Sequence, residues 1–105
     1  MGALKIPAYL DLNAALLADD EPEHLDWLID FLKTKGISTR VATNVSQAMS
    51  IAQQKLFRIY IIDLNIPLGD WQPSLAQTGK TYDDYHGLYI IKLIRTQGLP
   101  GKRVI

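Results

Sequence analysis

Short apolar runs alternate with amphipathic patterns along the first third of the chain. The run at 14–18 is apolar throughout and ends at two acidic residues, which is typical of a buried strand because the run is too short for an independent helix. Apolar positions with helical spacing follow, and they are Leu25, Leu28, Ile29 and Leu32. This spacing predicts a helix with one buried face, which begins near Pro22 and stops at Gly36.

The next three elements follow the same alternation. Residues 37–42 are rich in β-branched side chains and predict a second strand. Asn44 and Gln47 have the spacing of a capping pair, which predicts a helix that starts there and extends to about Leu56. The continuously apolar segment 59–62 predicts a third strand that is buried on both faces.

A long segment without a hydrophobic period separates the third strand from the last helix. Residues 67–86 contain two prolines and two glycines and predict a loop, which is longer than a compact domain usually has. Gly87 opens a helix, and its buried side consists of Leu88, Ile90, Ile91 and Ile94. Residues 102–105 predict the start of a fourth strand.

The resulting order of elements, β-α-β-α-β-loop-α-β, predicts the fold class. Strands that alternate with helices of this length are joined by right-handed crossovers, so we expect an α/β fold with an open parallel sheet and helices on both faces. The chain of 105 residues corresponds to a single domain, 1–105, in which 1–12 precede the first strand as an N-terminal extension.

Composition excludes several classes of function. Eleven basic residues balance eleven acidic ones, so the chain offers no basic excess for nucleic acid. There is no cysteine, hence no disulfide and no thiolate metal site, and no apolar run reaches the roughly 18 residues of a membrane span. We therefore expect a cytoplasmic protein that binds neither nucleic acid nor membrane through this chain.

Three carboxylates follow two strands that the predicted topology makes neighbours. Asp19 and Asp20 end the first strand and Asp63 ends the third, and ligands of open parallel sheets bind beyond the carboxyl ends of the strands. Clustered carboxylates repel one another unless a cation joins them, and oxygen ligands favour Mg²⁺ before Ca²⁺. Taken singly, each acid is more often a helix cap or a turn residue, so the prediction depends on their convergence.

Three segments of the sequence, "LLADDEP", "YIIDLNIP" and "GLYIIKLIR", resemble the receiver domain of response regulators in two-component signalling. The resemblance implies a flavodoxin-like sheet with strand order 2-1-3-4 and the fifth βα unit missing. It implies that Asp63 is the phosphoacceptor and that Mg²⁺ is held by Asp63, by Asp20, by Asp19 largely through water, and by the backbone carbonyl of Asn65. The phosphoryl donor would be a histidine kinase or a phosphotransfer protein, and the chain would be a signalling module, not an enzyme.

The sequence departs from the receiver pattern at two places. Gly87 stands twenty residues beyond Pro67, where the family has a short connection, so 67–86 is a long inserted loop. It could be a lid, a docking loop for a partner or an ordinary surface loop. The sequence also ends at Ile105, before the family's Ser or Thr and its Lys. Three outcomes are compatible with this end. The chain is a C-terminally incomplete piece of a longer protein, it pairs as a homodimer through an exposed sheet edge or through the face that lacks its last helix, or its apolar N-terminal segment covers part of that face. We favour an incomplete domain that associates with a second copy.

Two alternative functions follow from the same residues. The chain could be a receiver-like module for protein interaction or dimerisation that works without phosphorylation, through 67–86 and the sheet edge. It could also be a small hydrolase with Asp63 as nucleophile, which is disfavoured because Asn65 stands where a second acid would be needed.

Overall fold

The computed structural model describes residues 10–73, 79–96 and 103–104 of the chain. The strands are β1 (Leu10–Ala18), β2 (Ser38–Ala42), β3 (Leu56–Ile62) and β4 (Arg103–Val104). The helices are α1 (Asp26–Thr34), α2 (Val45–Gln54), α3 (Lys80–Asp84) and α4 (Gly87–Thr96), and a 3-10 turn at Pro22–Leu25 leads into α1. Apart from α3, the order of elements is the predicted one.

The described strands form one parallel sheet in the order β2-β1-β3-β4. The parallel α/β fold and the predicted strand order are therefore confirmed. Ala18 at the end of β1 is level with Ala42 of β2 and with Ile62 of β3. Because the three strands end at the same level, the residues that follow them emerge together at one edge of the sheet.

The centre of the sheet is buried on both faces along β1. Residues 14–18 are at most 1% exposed, as their unbroken apolar run predicts. On one face, strand residues pack with α2 and α4, and this cluster includes Ala14, Leu16, Ala18, Val45, Ala48, Met49, Tyr60, Ile90 and Ile94. On the other face, Ala15 packs with Leu32 of α1 and with Ile37.

β3 is not buried equally on its two faces. Tyr60 and Ile62 are buried on the side of α2 and α4, whereas Ile59 and Ile61, on the side of α1, are only half-buried. The prediction of burial on both faces was therefore wrong for this strand, because α1 alone covers that face among the described elements. Tyr60 accepts a hydrogen bond from the Phe57 N–H at 2.9 Å, and burial raises the pKa of the Tyr60 hydroxyl.

The C-terminal end of α1 matches its sequence signal, whereas its start does not. Gly36 has a φ of 77°, the left-handed conformation that glycine adopts without steric cost. Its N–H donates to the Lys33 carbonyl and the Ile37 N–H donates to the Leu32 carbonyl, so the last turn of α1 is closed. Regular α-helix begins only at Asp26, because the segment after Pro22 is a 3-10 turn.

The N-terminus of α2 is closed by its own cap and by the chain that follows β3. The Asn44 side chain accepts from the Gln47 N–H at 2.8 Å, as predicted, and Gln47 Oε1 accepts from the Thr43 N–H at 2.8 Å. The amides of Val45 and Ser46 donate to the carbonyls of Pro67 and Leu68 at 2.8 and 3.1 Å. The helix ends at Gln54, two residues before the predicted end, because Lys55 is extended and Leu56 already belongs to β3.

The segment boundaries differ from expectation at three places. β1 begins at Leu10, so the end of the predicted extension 1–12 belongs to the strand, while 1–9 lie outside the described residues. The segment 67–86 is not a continuous loop, because it contains α3; its residues 74–78 lie outside the described ranges. Of the predicted fourth strand, Arg103 and Val104 pair with β3, and its flanking residues are not described.

We expect Asn44→Ala to lower the free energy of unfolding by about 1 kcal/mol, because the Gln47 N–H loses its acceptor at the helix start. Urea denaturation followed by circular dichroism measures the change. Asn44→Ser retains a capping oxygen and should cost much less, and Gln53→Ala, an exposed change in the same helix, is the matched control. Equal stability of the Ala and Ser variants would contradict this role.

Candidate functional site

Asp19, Asp20 and Asp63 converge at the carboxyl edge of the sheet. One oxygen from each carboxylate lies within 4.8 Å of the other two. Asp19 and Asp63 are half-buried, whereas Asp20 is exposed. Asp19 and Asp20 follow β1 and Asp63 follows the neighbouring strand β3, so the pairing of these two strands brings the three acids together.

Backbone hydrogen bonds just beyond the strands hold two of the acids. The Asp63 N–H donates to the Ala18 carbonyl of β1 at 2.8 Å, and the Asp19 N–H donates to the Ala42 carbonyl of β2 at 2.9 Å. Each acid is therefore attached to the strand next to its own. Because both bonds continue the sheet ladder, the positions of these Cα atoms are fixed by the buried strands and not by a flexible loop.

Local hydrogen bonds orient the same two carboxylates. Asp19 Oδ1 accepts from the Glu21 N–H at 2.8 Å, and Asp63 Oδ1 accepts from the Asn65 N–H at 2.9 Å. Both are side-chain turns in which an Asp bonds to the backbone two residues further on. Asn65 is exposed, and its backbone N–H is the donor in the turn that orients Asp63.

Gly87, at the start of α4, packs directly against the turn that carries Asp63. A Cβ atom at this position would lie 2.6 Å from the Asp63 carbonyl oxygen and 2.8 Å from Leu64 Cα. The Gly87 N–H donates to the Leu64 carbonyl at 3.1 Å. Only glycine allows this close approach of two backbones, so the helix start supports the turn beneath the acid.

The remainder of the turn is anchored by burial and by α2. Ile66 is fully buried in the core cluster, and the carbonyls of Pro67 and Leu68 accept from the first amides of α2. Residues 63–68 are therefore held between the N-termini of two helices. Such a turn has little freedom to move its carboxylate.

An aromatic cluster attaches the inserted segment to α4. Tyr82 of α3 stacks on Tyr89 with a centroid distance of 4.8 Å, and Trp71 and His86 lie 6.5 and 6.4 Å from the same ring. Tyr89 is 1% exposed, and burial, with the Asp83 carboxylate and Tyr82 nearby, raises the pKa of its hydroxyl. The Tyr89 side chain is therefore neutral at physiological pH. Trp71, Tyr82 and His86 of the segment 67–86 pack around its ring.

Other acidic groups do not extend the site. Glu21, Glu23 and His24 also bring ligand atoms within 4.8 Å of one another, but all three are exposed, with Glu21 directly before the 3-10 turn and the other two on it. Within the described ranges, Asp83, Asp84 and His86 form no comparable group, and Asp84 pairs with exposed Lys80 at 3.9 Å. Asp83 and Asp84 are exposed residues of α3, whereas His86 is half-buried and lies against Tyr89.

Sequence reasoning located the acids but missed most of what supports them. The contact between Gly87 and Asp63 joins residues far apart in sequence, and the only signal for it was a glycine at a helix start. The carbonyls of Pro67 and Leu68 accept from the first amides of α2, and because they are backbone groups, no residue type in the sequence indicates this contact. The stacking of Tyr82 on Tyr89 had only the aromatic content of the insertion as a hint.

Among known proteins, the chain is similar to a solved structure but matches no family model. No protein-family model matches the chain, and neither does any curated protein. A crystal structure of a response regulator protein from Burkholderia pseudomallei, with a phosphorylated aspartic acid, a calcium ion and citrate, is similar with a TM-score of 0.62 and 22% sequence identity. The match covers 90% of this chain and 45% of that one, so the chain spans less than half the length of this neighbour.

The structural likeness confirms the resemblance at the level of the fold. At 22% identity it shows that the described strands and helices have the arrangement found in a response regulator. Separately, no helix in the described ranges has the length and apolar character needed to cross a membrane.

We expect Gly87→Ala to destabilise the fold by roughly 1–3 kcal/mol, because its methyl group would collide with backbone that cannot rotate away. NMR should place the largest amide shift changes at Asp63 and Leu64. Gly36→Ala is the contrasting variant: it strains a left-handed residue with no atom within 4 Å, so it should lower stability and leave the Asp63 amide unchanged. Unaltered shifts at Asp63 in Gly87→Ala would contradict the supporting role.

We expect Asp63→Asn to raise the free energy of unfolding by about 1 kcal/mol in buffer with a metal chelator, because it removes one of three mutually repelling charges. Asparagine keeps the Oδ1 acceptor for the Asn65 N–H, so the turn is preserved. Asp30→Asn, an exposed acid of α1, is the matched control and should change stability by less than about 0.5 kcal/mol. A loss of stability in Asp63→Asn would show that the carboxylates do not repel in this way.

Proposed function

We propose that the chain is a phosphoacceptor receiver module of two-component signal transduction, which accepts a phosphoryl group on Asp63. The single observation that carries the proposal is the convergence of Asp19, Asp20 and Asp63 on neighbouring strand ends. A parallel sheet of the response-regulator type provides the setting. The donor is a phosphohistidine on a histidine kinase or phosphotransfer protein, and we place the module in the cytoplasm.

Asp63 is the nucleophile in the proposed transfer. One carboxylate oxygen forms a bond to phosphorus while the bond from phosphorus to the donor's imidazole nitrogen breaks, and the imidazole leaves with the electron pair. The Asn65 N–H holds Oδ1 and thereby fixes the plane in which the carboxylate lies. Asp63 would then become an aspartyl phosphate, and the chain's role would be to hold it for a signalling partner.

The donor set suits a hard divalent cation. Three carboxylates at this spacing, two of them half-buried, fit Mg²⁺, and we assign Asp19, Asp20, Asp63 and the carbonyl of Asn65 to it. When bound, the ion supplies positive charge that offsets the repulsion between the carboxylates and the incoming phosphoryl oxygens. Asp19 and Asp20 would hold it from the end of β1, and Asp63 from the end of β3.

The second candidate function is a receiver-like interaction or dimerisation module that works without phosphorylation. The observation that favours it is the packing of Trp71 and Tyr82 on Tyr89, which gives the insertion a fixed attachment to α4. Partner contacts would then be made by 67–86 or by the sheet edge. Under this function the acids would contribute nothing to the affinity for the partner.

The test is Mg²⁺-dependent modification of Asp63. We expect acetyl phosphate with Mg²⁺ to add one phosphoryl group to the wild-type chain by intact-mass spectrometry, and Mg²⁺ alone to shift the amides of Asp19, Asp20 and Asp63 in NMR spectra. Asp63→Asn should abolish the adduct. Asp70→Asn, an exposed acid in the insertion, is the matched control and should retain it. A wild-type chain that shows neither response would refute the receiver function and leave the second candidate.

A further inference from the structure

Asn44, the residue that caps α2, also packs against the chain that follows Asp63. Its side-chain oxygen accepts from the Gln47 N–H at 2.8 Å, which holds the amide group in one orientation. A Cβ atom added at Gly69 would lie 2.5 Å from Asn44 Cγ, 2.7 Å from Oδ1 and 2.8 Å from Nδ2. The backbone at Gly69 therefore lies directly against the amide group of the cap.

The close contact is specific to Gly69 and does not follow from its backbone conformation alone. Gly69 has a φ of 64°, a left-handed conformation that favours glycine. Gly36 has a similar φ of 77°, but a Cβ atom added there meets nothing within 4 Å. Gly36 is therefore a matched comparison, because it shares the conformation and lacks the contact.

Two hydrogen bonds join α2 to the same stretch of chain. The first two amides of the helix donate to the carbonyls of Pro67 and Leu68 at 2.8 and 3.1 Å, and the third donates to Asn44. All three amides at the helix start thus have acceptors. Residues 67–69 are held by the start of α2, two through their carbonyls and Gly69 through its packing on Asn44.

Asn65 lies between this anchored stretch and the phosphoacceptor position. Its N–H donates to Asp63 Oδ1 at 2.9 Å, and Pro67, two residues further on, is bonded to α2. The carbonyl of Asn65 is the group that we assigned to Mg²⁺. Because residues 67–69 fix the backbone that follows Asn65, a displacement there changes the position of this carbonyl relative to Asp63.

We propose that Asn44 and Gly69 are a positioning pair for the acidic site. The amide group of Asn44, packed on Gly69, holds the far end of the turn and thereby the Asn65 carbonyl. Neither residue is a ligand of the ion, so both act through the backbone of the turn, as groups around a metal site orient its ligands. This role deepens the proposed function and rests on it, because it concerns the affinity for Mg²⁺.

The first experiment measures the position of the turn in the metal-free chain by NMR. Gly69→Ala should shift the amide signal of Asn65, because the added methyl group must displace either the Asn44 amide group or the turn. In Gly69→Ala/Asn44→Ala this signal should return towards its wild-type position, because the second change removes the three atoms that the methyl group meets. Gly36→Ala should leave the signal unchanged. An Asn65 amide that is unmoved in Gly69→Ala, or that moves further in the double variant, would overturn the positioning role.

The second experiment measures Mg²⁺ affinity at a temperature at which circular dichroism shows all variants folded. Gly69→Ala should weaken binding by about tenfold, the loss expected when a group that orients a metal ligand is changed. The double variant should recover affinity to within about threefold of wild type, although it lacks the helix cap and unfolds at lower urea concentration. Gly36→Ala should bind as the wild type does, although it too is less stable. Equal affinities of Gly36→Ala and Gly69→Ala, or affinities that follow stability across all variants, would overturn the proposal.

The two measurements separate the positioning role from the proposed function. A wild-type chain without any response to Mg²⁺ would refute the receiver function. The metal-free spectra would still decide whether Asn44 and Gly69 hold the turn at Asn65.

Discussion

The backbone ladder at the carboxyl edge of the sheet is the constraint on which the site depends. Asp63 donates its N–H to the end of β1, and Asp19 donates its N–H to the end of β2. These bonds hold side chains whose charges repel one another at 4.8 Å or less. The repulsion is offset by the burial of residues 14–18, whose apolar surface favours the folded sheet. The core therefore fixes an arrangement that the acids alone would not adopt.

Both helices on the face opposite α1 begin at this edge and depend on the same turn. The carbonyls of Pro67 and Leu68 close α2, and Gly87 of α4 lies against the Asp63 carbonyl. Any displacement of residues 63–68 therefore disturbs two helix starts. The same turn is thereby connected to α4 and, through Tyr89, to the aromatic residues of the insertion.

The sequence predicted those features that are encoded by residues close to one another in the chain. The apolar run of β1, the cap at Asn44 and the stop at Gly36 each depend on residues close in the chain, and the structure confirms them. The predicted buried face of α1 is confirmed only in part, because Leu32 is buried whereas Leu28 and Ile29 are half-buried and Leu25 precedes the helix. The strand order and the meeting of Asp19, Asp20 and Asp63 followed from topology. Roles in metal binding and phosphoryl transfer stay predictions, because geometry alone does not measure them.

The features that were missed depend on contacts between distant segments. Burial of β3 depends on how far α1 extends across it, which periodicity in 59–62 does not encode. α3 has five residues, too few for a hydrophobic period to be recognised among polar neighbours. Its position is set by the stacking of Tyr82 on Tyr89, a tertiary contact that overrides the weak local preference.

The insertion is compatible with the site because the turn at Asp63 needs a glycine packed against it, whatever the number of residues between the two. The chain leaves the turn after Leu68, whose carbonyl is bonded to α2, and returns to it at Gly87, which packs on Asp63 and Leu64. Between these two fixed points the cost of a longer connection grows only with the logarithm of its length. The contacts of Trp71 and Tyr82 with Tyr89 offset part of that cost. A twenty-residue separation can therefore replace a short connection without moving the carboxylate, so the length of the insertion is not in itself an argument against a working phosphoacceptor site.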